Sequence, residues 1–254
     1  MNFLSEISKN FPDIIIKAYH RVDTGWMNQI VIVNDDLVFR FPRTKVAIKK
    51  LGMELKLLSI LKQPPVKLPE YKFIHMKYPF FAGYKIIKGD TVENAKLLGR
   101  NVLNDFTALL NYMRTFKSNS LKDTLLPLYN ANSWIKYEKS LVRSFQAALE
   151  EYTGTEYFNE IFSLLDTAMS DLNDSDISLI HGDLSRGNVI LNRKHSRIKG
   201  IIDWSDASYG DRALDIAAII DGFSLKYLPC ILQNFTEIFC TCVFFQRCLK
   251  RTDQ

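Results

Sequence analysis

The chain has 254 residues, of which 47% are apolar and 24% charged, a balance that supports a sizeable buried core and one or two folded domains and excludes a disordered chain. Its net charge of +5 is dispersed without a Lys/Arg run or interleaved aromatics, which argues against a nucleic-acid partner. No stretch approaches the roughly eighteen uncharged apolar residues of a membrane span, and Met1-Asn2-Phe3-Leu4-Ser5-Glu6 lacks the basic start and apolar core of a signal peptide, so a cytoplasmic location is expected.

Charge is uneven along the chain. Residues 1–137 carry a net +10, residues 138–176 a net −7 and residues 177–254 a net +2, so the total conceals an acidic island.

Taken in chain order, Ile14 to Tyr19, Gln29 to Val33 and Leu37 to Phe41 are short β-prone runs separated by Asp23-Thr24-Gly25 and Asn34-Asp35-Asp36. They predict three antiparallel strands. Thr44 to Leu61 has apolar residues at helical spacing, at Ile48, Leu51, Leu55, Leu58 and Ile60-Leu61, with Thr44 as a cap and Pro64-Pro65 as the stop. Phe80 to Ile87 reads as a strand running into a connection. From Val92 to Phe116 the pattern is helical, with Val102, Phe106, Leu109 and Met113 on one apolar face. Ser133 to Tyr152 and Thr155 to Ser170 are two further helical segments, and they carry the acidic island through Glu150, Glu151, Glu156, Glu160 and Asp166. Those carboxylates either form a solvated face or hold a polycationic ligand.

The segment His181-Gly182-Asp183, with Asn188 five residues later and Ile202-Asp203-Trp204 beyond, has the groups that phosphoryl transfer requires. Such chemistry needs an acidic side chain at the attacking hydroxyl and oxygen ligands for magnesium, since the protein contributes positioning and charge neutralisation. Asp183 would accept or orient the hydroxyl proton, and Asn188 and Asp203 would reach the metal. Val189 to Leu191 and Ile198 to Ile202 read as the two strands of a hairpin around the polar turn Asn192 to Ser196, which carries Asp203 back beside Asn188.

After these residues the sequence places Cys230, Cys240, Cys242 and Cys248 in an apolar segment without histidine, which favours buried free thiols over zinc or disulfides. Ile231 to Leu249 reads as a core helix, with a dimer surface as the alternative.

The motifs His181-Gly182-Asp183…Asn188 and Ile202-Asp203-Trp204 resemble those of the aminoglycoside phosphotransferase and choline kinase superfamily. Over about residues 14 to 220, Gly25-Trp26-Met27-Asn28, Val38 to Arg43 and Phe81 to Gly89 are similar to the enzymes that phosphorylate the 2-double-prime hydroxyl of aminoglycosides. The resemblance implies an α+β, protein-kinase-like two-lobed fold. Its small lobe, residues 1–89, would hold an antiparallel sheet, one helix and the nucleotide, and a mostly helical lobe, residues 90–254, would carry the catalytic and metal-binding loops.

By the same resemblance Asp183 is catalytic, Asn188 and Asp203 hold Mg2+, and ATP or GTP is the co-substrate. Arg40 stands where the fold normally has a phosphate-holding lysine, with Arg43 as a competing candidate, and Glu54 pairs with the strand cation. The backbone from Lys85 to Ile87 would meet the purine. Gly25, in the first turn, leaves room for backbone amides to approach phosphate, although a single glycine there is also an ordinary turn residue. Asp211 and Asp215 brace loops rather than react. Only 51 residues follow Asp203, fewer than such enzymes usually have. The implied partner is a small-molecule hydroxyl acceptor, foremost an aminoglycoside, in a monomer or weak homodimer. A macrolide, choline-like or sugar acceptor, an impaired nucleotide-binding remnant, and an interaction protein using its apolar tail are the alternatives.

Overall fold

In the computed structural model of the chain, the described residues are 2–22, 27–92 and 101–223. Gly25 and the cysteine-bearing segment 231–249 therefore lie outside the described residues, as does the start of the helix expected from Val92.

The first part of the chain is an antiparallel sheet. Strands β1 (Tyr19–Val22), β2 (Asn28–Val33), β3 (Leu37–Pro42), β4 (Tyr71–His75) and β5 (Phe81–Lys85) lie in the order β1-β2-β3-β5-β4. A short helix, α1 (Phe3–Asn10), covers one face and is capped by Asn2, whose side chain accepts the Ser5 N–H. Ile7 of α1 is fully buried with Val31, Val33, Phe39, Phe41 and Phe81, and the rings of Phe41 and Phe81 stack at 4.5 Å.

Two sequence expectations change here. Helix α1 was not expected, and the first strand begins at Tyr19 rather than at Ile14. The reason for the second lies in Asn34, whose side-chain oxygen accepts from the Lys17 and Ala18 N–H groups and whose amide donates to the Ile15 carbonyl. That side chain takes the place of a strand partner along 15–18.

Helix α2 (Lys45–Ile60) starts at Thr44, whose hydroxyl accepts the Ala47 N–H at 3.1 Å. Its inward residues Met53 and Leu57 join the large core around Leu109, Met113, Leu191, Ile201 and Trp204, so α2 packs toward the second part of the chain. Ile48, expected on the apolar face, is exposed. The same orientation sends Lys50 and Glu54, one turn apart, toward the loops described below.

The second part contains α3 (Asn101–Arg114), α4 (Ala131–Ser144), α5 (Gln146–Thr153), α6 (Thr155–Met169) and α7 (Ala213–Phe223). Strands β6 (Asp90–Thr91), β8 (Val189–Leu191) and β9 (Ile198–Ile201) form a sheet in the order β6-β8-β9, and β7 (Ile177–Ile180) pairs with β10 (Ser208–Asp211). The segment expected as one helix from Ser133 to Tyr152 is two, because Phe145 leaves helical geometry at φ −101° and ψ 5°. The β8–β9 hairpin is tied to α3 by the Arg197 guanidinium, which grips both oxygens of Asp105, and by the Ile198 N–H, which donates to Asp105 Oδ2 at 2.8 Å. No described helix is long and apolar enough to cross a membrane.

Candidate active site

The loop after β7 is held by its backbone. Asp215, at the start of α7, accepts the His181 N–H on Oδ2 at 2.7 Å and the Gly182 N–H on Oδ1 at 3.0 Å. Gly182 has φ +79°, and a Cβ there would collide with the Asp206 carbonyl oxygen, so only glycine allows this approach. The Asp183 N–H donates to His181 Nδ1 at 3.2 Å, which places the ring proton on Nε2, 3.1 Å from the Ile202 carbonyl that accepts it. The same ring packs edge-on against Trp204 with centroids 4.6 Å apart. His181 thereby couples the Asp183 loop to the Asp203 loop. Burial raises the pKa of Asp215, and the facing His181 and the two N–H groups oppose that rise.

Asn188 ends the single helical turn Arg186–Asn188 that leads into β8. Its amide nitrogen donates to the Asp183 carbonyl at 2.9 Å and to Asp183 Oδ2 at 3.0 Å, which leaves its oxygen as the group available to a cation. The Ile202 N–H donates to the Asn188 carbonyl, so Asp203 is delivered beside Asn188 as the hairpin pattern predicts. Asp203 has φ +62°, a left-handed conformation that costs a non-glycine residue on the order of 1 kcal/mol and that aspartate tolerates better than most.

Behind these groups stands a buried ion cluster. Arg40, on β3, donates from Nη1 to both oxygens of Glu54 at 3.0 and 2.8 Å and to the Tyr71 hydroxyl, while its Nη2 donates to Asp203 Oδ1 at 2.8 Å. Arg40 is 4% exposed and Glu54 0%. Burial works against charge on both: it raises Glu54, with Arg40 opposing, and it lowers Arg40, where Glu54, Tyr71, Asp203 and Tyr84 together outweigh it, so that guanidinium is held well above its usual range. Burial would also raise Asp203, but Arg40 and the Ser205 hydroxyl, which donates to Oδ1 at 2.9 Å, hold its carboxyl below the usual range. Oδ1 is thus occupied twice, and Oδ2 accepts no hydrogen bond among the described residues. Arg40 Nε is buried without a partner among the described residues.

The structure therefore brings together Asp183, Asn188, Asp203, Arg40 and Glu54. Arg43 donates instead to Gln29 at 3.1 Å. Lys85 and Ile87 lie apart from the cluster: the Lys85 ammonium is 3.6 Å from Asp36, the neighbouring Ile86 N–H is taken by the Asp36 carbonyl, and Ile87 packs beside Gly200. Sequence reasoning missed Tyr71, whose hydroxyl bridges Arg40 and Glu54 from β4, a contact that no local pattern announces.

Beside Gly182 lies a cavity of about 350 Å³, walled by Tyr129, Trp134, Tyr137 and Phe145 and edged by Lys50 and Asp206. None of the island's carboxylates is among the described residues that line it, although Glu138 of α4 is buried near the Tyr129 and Tyr137 rings. Asp166 of α6 pairs with Lys139 of α4, and Glu150 of α5 accepts from Gln146.

Residues 19–237 match the profile of the phosphotransferase enzyme family (APH), and the chain belongs to that family. Its kinase-like fold is shared with solved structures. The GDP and kanamycin complex of APH(2")-IIia is 23% identical, with 93% of this chain and 83% of that one covered and a TM-score of 0.79. The streptomycin-ATP-APH(2")-IIa ternary complex is 19% identical, with coverage of 92% and 83% and a TM-score of 0.69. The apoenzyme of macrolide 2'-phosphotransferase MphH from Brachybacterium faecium is 14% identical, with coverage of 94% and 84% and a TM-score of 0.71. No curated protein matches the chain significantly in sequence.

Proposed function

We propose that the chain transfers the γ-phosphoryl group of magnesium-bound ATP or GTP to a hydroxyl of a small molecule. The observation that carries this reading is the convergence at Asp203: one carboxylate oxygen is fixed by Arg40 and Ser205, and the other stays open beside the Asn188–Asp183 pair. Magnesium takes oxygen ligands and is commonly held by one or two protein groups together with substrate phosphates. Asp203 Oδ2 and the Asn188 amide oxygen fit that pattern, and the bound ion would neutralise charge on the transferring phosphate.

In this reading Asp183 orients the acceptor hydroxyl and takes its proton, while Asn188 fixes the Asp183 carboxylate. Arg40, held by Glu54, faces the phosphates in place of the usual lysine. The backbone from Lys85 to Ile87 meets the purine. Residues 1–89 form the nucleotide lobe and residues 90–254 the catalytic lobe of a cytoplasmic monomer or weak homodimer.

An aminoglycoside is the acceptor supported by the likeness to structures bound to kanamycin and streptomycin. An apolar-faced acceptor of the macrolide kind is the second reading, favoured by the aromatic wall of the cavity. The test is magnesium-dependent release of ADP or GDP across aminoglycosides, macrolides and small alcohols, with Asp183→Asn as control. Stimulation by one acceptor class that vanishes in the variant is the expected result. Tight nucleotide binding with no stimulation by any acceptor would sink the reading.

A further inference from the structure

Tyr71 opens β4, the outer strand of the five-stranded sheet, and a bulge follows it. Its partner on β5 is Tyr84, that of Phe73 is Gly83, and the register shifts between the two pairs. Side chains two apart on a regular strand share a face, but this irregularity parts them. Phe73 packs against Phe11 and Phe39 on the α1 side, with ring centroids at 5.3 and 5.7 Å, whereas Tyr71 turns to the opposite face and meets the Tyr84 ring edge-on at 5.0 Å. The bulge thereby delivers a phenol to the buried Arg40–Glu54 pair.

What the phenol does there follows from the way Arg40 is held. A guanidinium facing a carboxylate prefers two parallel bonds, one from each of two nitrogens. Arg40 departs from that: Nη1 alone meets both Glu54 oxygens, at 3.0 and 2.8 Å, and Nη2 goes to Asp203 Oδ1 at 2.8 Å. The Tyr71 hydroxyl sustains this split grip from both sides. It accepts from Nη1 at 3.1 Å, which keeps the guanidinium turned, and it donates to Glu54 Oε1 at 3.1 Å, which occupies an oxygen that a parallel grip would use. Burial and the facing Glu54 hold the phenol well above its usual range, so it remains a donor. The Trp204 N–H, next to Asp203, is a further donor to Glu54. A lysine in place of Arg40 would have no fork to satisfy, since an ammonium is a point charge that can lie between two carboxylates.

We infer that Tyr71 is a positioning residue for nucleotide binding: its hydroxyl keeps Arg40 from closing on Glu54 and so leaves one guanidinium nitrogen for Asp203 and the phosphates. This rests on the phosphotransfer reading and adds to it a residue outside the motif loops.

The experiment compares the full chain with Tyr71→Phe, which keeps the ring against Tyr84 and removes only the hydroxyl. Three readouts are taken: calorimetric binding of ATP and of GTP with magnesium, the thermal unfolding midpoint, and a crystal structure. Nucleotide binding should weaken about tenfold. The midpoint should fall by less than about 5 °C, because Arg40 and Glu54 stay paired. The structure should show Arg40 gripping Glu54 through both terminal nitrogens and parted from Asp203. In the Arg40→Lys background the same change should alter binding by less than about twofold. The inference is overturned if Tyr71→Phe binds nucleotide as the native chain does, if its Arg40 stays on Asp203, or if the loss is as large in the Arg40→Lys background. A larger fall in the midpoint would make the role structural and overturn it too. A native chain that binds neither nucleotide, beside a variant whose Arg40 has moved, would instead refute the phosphotransfer reading and leave the hold of Tyr71 on Arg40 standing.

Discussion

Lys50 and Glu54 stand one turn apart on α2, and each reaches the loop after β9 by a different route. Glu54 is sealed from solvent and holds Arg40, which in turn fixes Asp203. Lys50 meets Asp206 directly, with both groups in contact with water. Burial decides the difference. A buried ion pair cannot lose one partner without stranding the other in a poor dielectric, whereas a hydrated pair can trade partners cheaply. One helix thus supplies a rigid clamp at the metal carboxylate and, three residues further along the facing loop, a loose contact at the mouth of the cavity.

The largest expected effect falls between the two pairs. Asp183→Asn removes the proton acceptor while keeping the bond to Asn188, and kcat should fall by about 10²- to 10⁴-fold with nucleotide affinity retained. Steady-state kinetics beside nucleotide titration checks this, and a parallel loss of affinity would contradict the role. Glu54→Gln breaks the clamp, and a cost of about 3–5 kcal/mol in unfolding free energy is expected because Arg40 keeps its charge in a buried site. A cost below about 1 kcal/mol in denaturant unfolding would mean that the clamp is not rigid.

Asp211 probes burial through pH. Burial pushes its carboxyl up to about 6 from the ordinary 3.8, with the Ala213 N–H opposing and Asp176 adding to the rise. The fold therefore favours the protonated form. That contribution is fully present below the unfolded value of 3.8 and is lost as pH rises through about 6. Asp211→Asn lacks the loss, so its stability relative to the native chain should improve by about 3 kcal/mol between pH 4 and pH 7. Unfolding measured at both values checks the sign, and a constant difference would refute it. The smallest effect belongs to Lys50→Met, which should change stability by less than about 1 kcal/mol in thermal unfolding. A larger loss would make that pair structural too.

Much of this arrangement was legible where sequence and structure are local. Strands β2 and β3, helix α2 with its Thr44 cap, and the β8–β9 hairpin follow from alternation, helical spacing and a polar turn, and the hairpin alone brings Asp203 to Asn188. What escaped depends on contacts distant in sequence. Helix α1 is short, and its burial comes from phenylalanines on three strands. Asn34 holds 15–18 through side-chain bonds that leave no periodic trace. Phe145 breaks a helical pattern and joins the cavity wall. The acidic island was a sound reading of charge along the chain, yet charge along the chain does not say which side of a helix faces a pocket. Tyr71 and the Lys50–Asp206 pair are likewise products of tertiary packing.

The division of labour between the two carboxylates is the central claim, and nucleotide binding measured with and without magnesium tests it most directly in the native chain, Asp203→Ala and Asp183→Asn. Magnesium should tighten ATP or GTP binding about tenfold or more in the native chain and in Asp183→Asn, and have little effect in Asp203→Ala. An undiminished magnesium effect in Asp203→Ala would contradict the assignment of Asp203 to the metal.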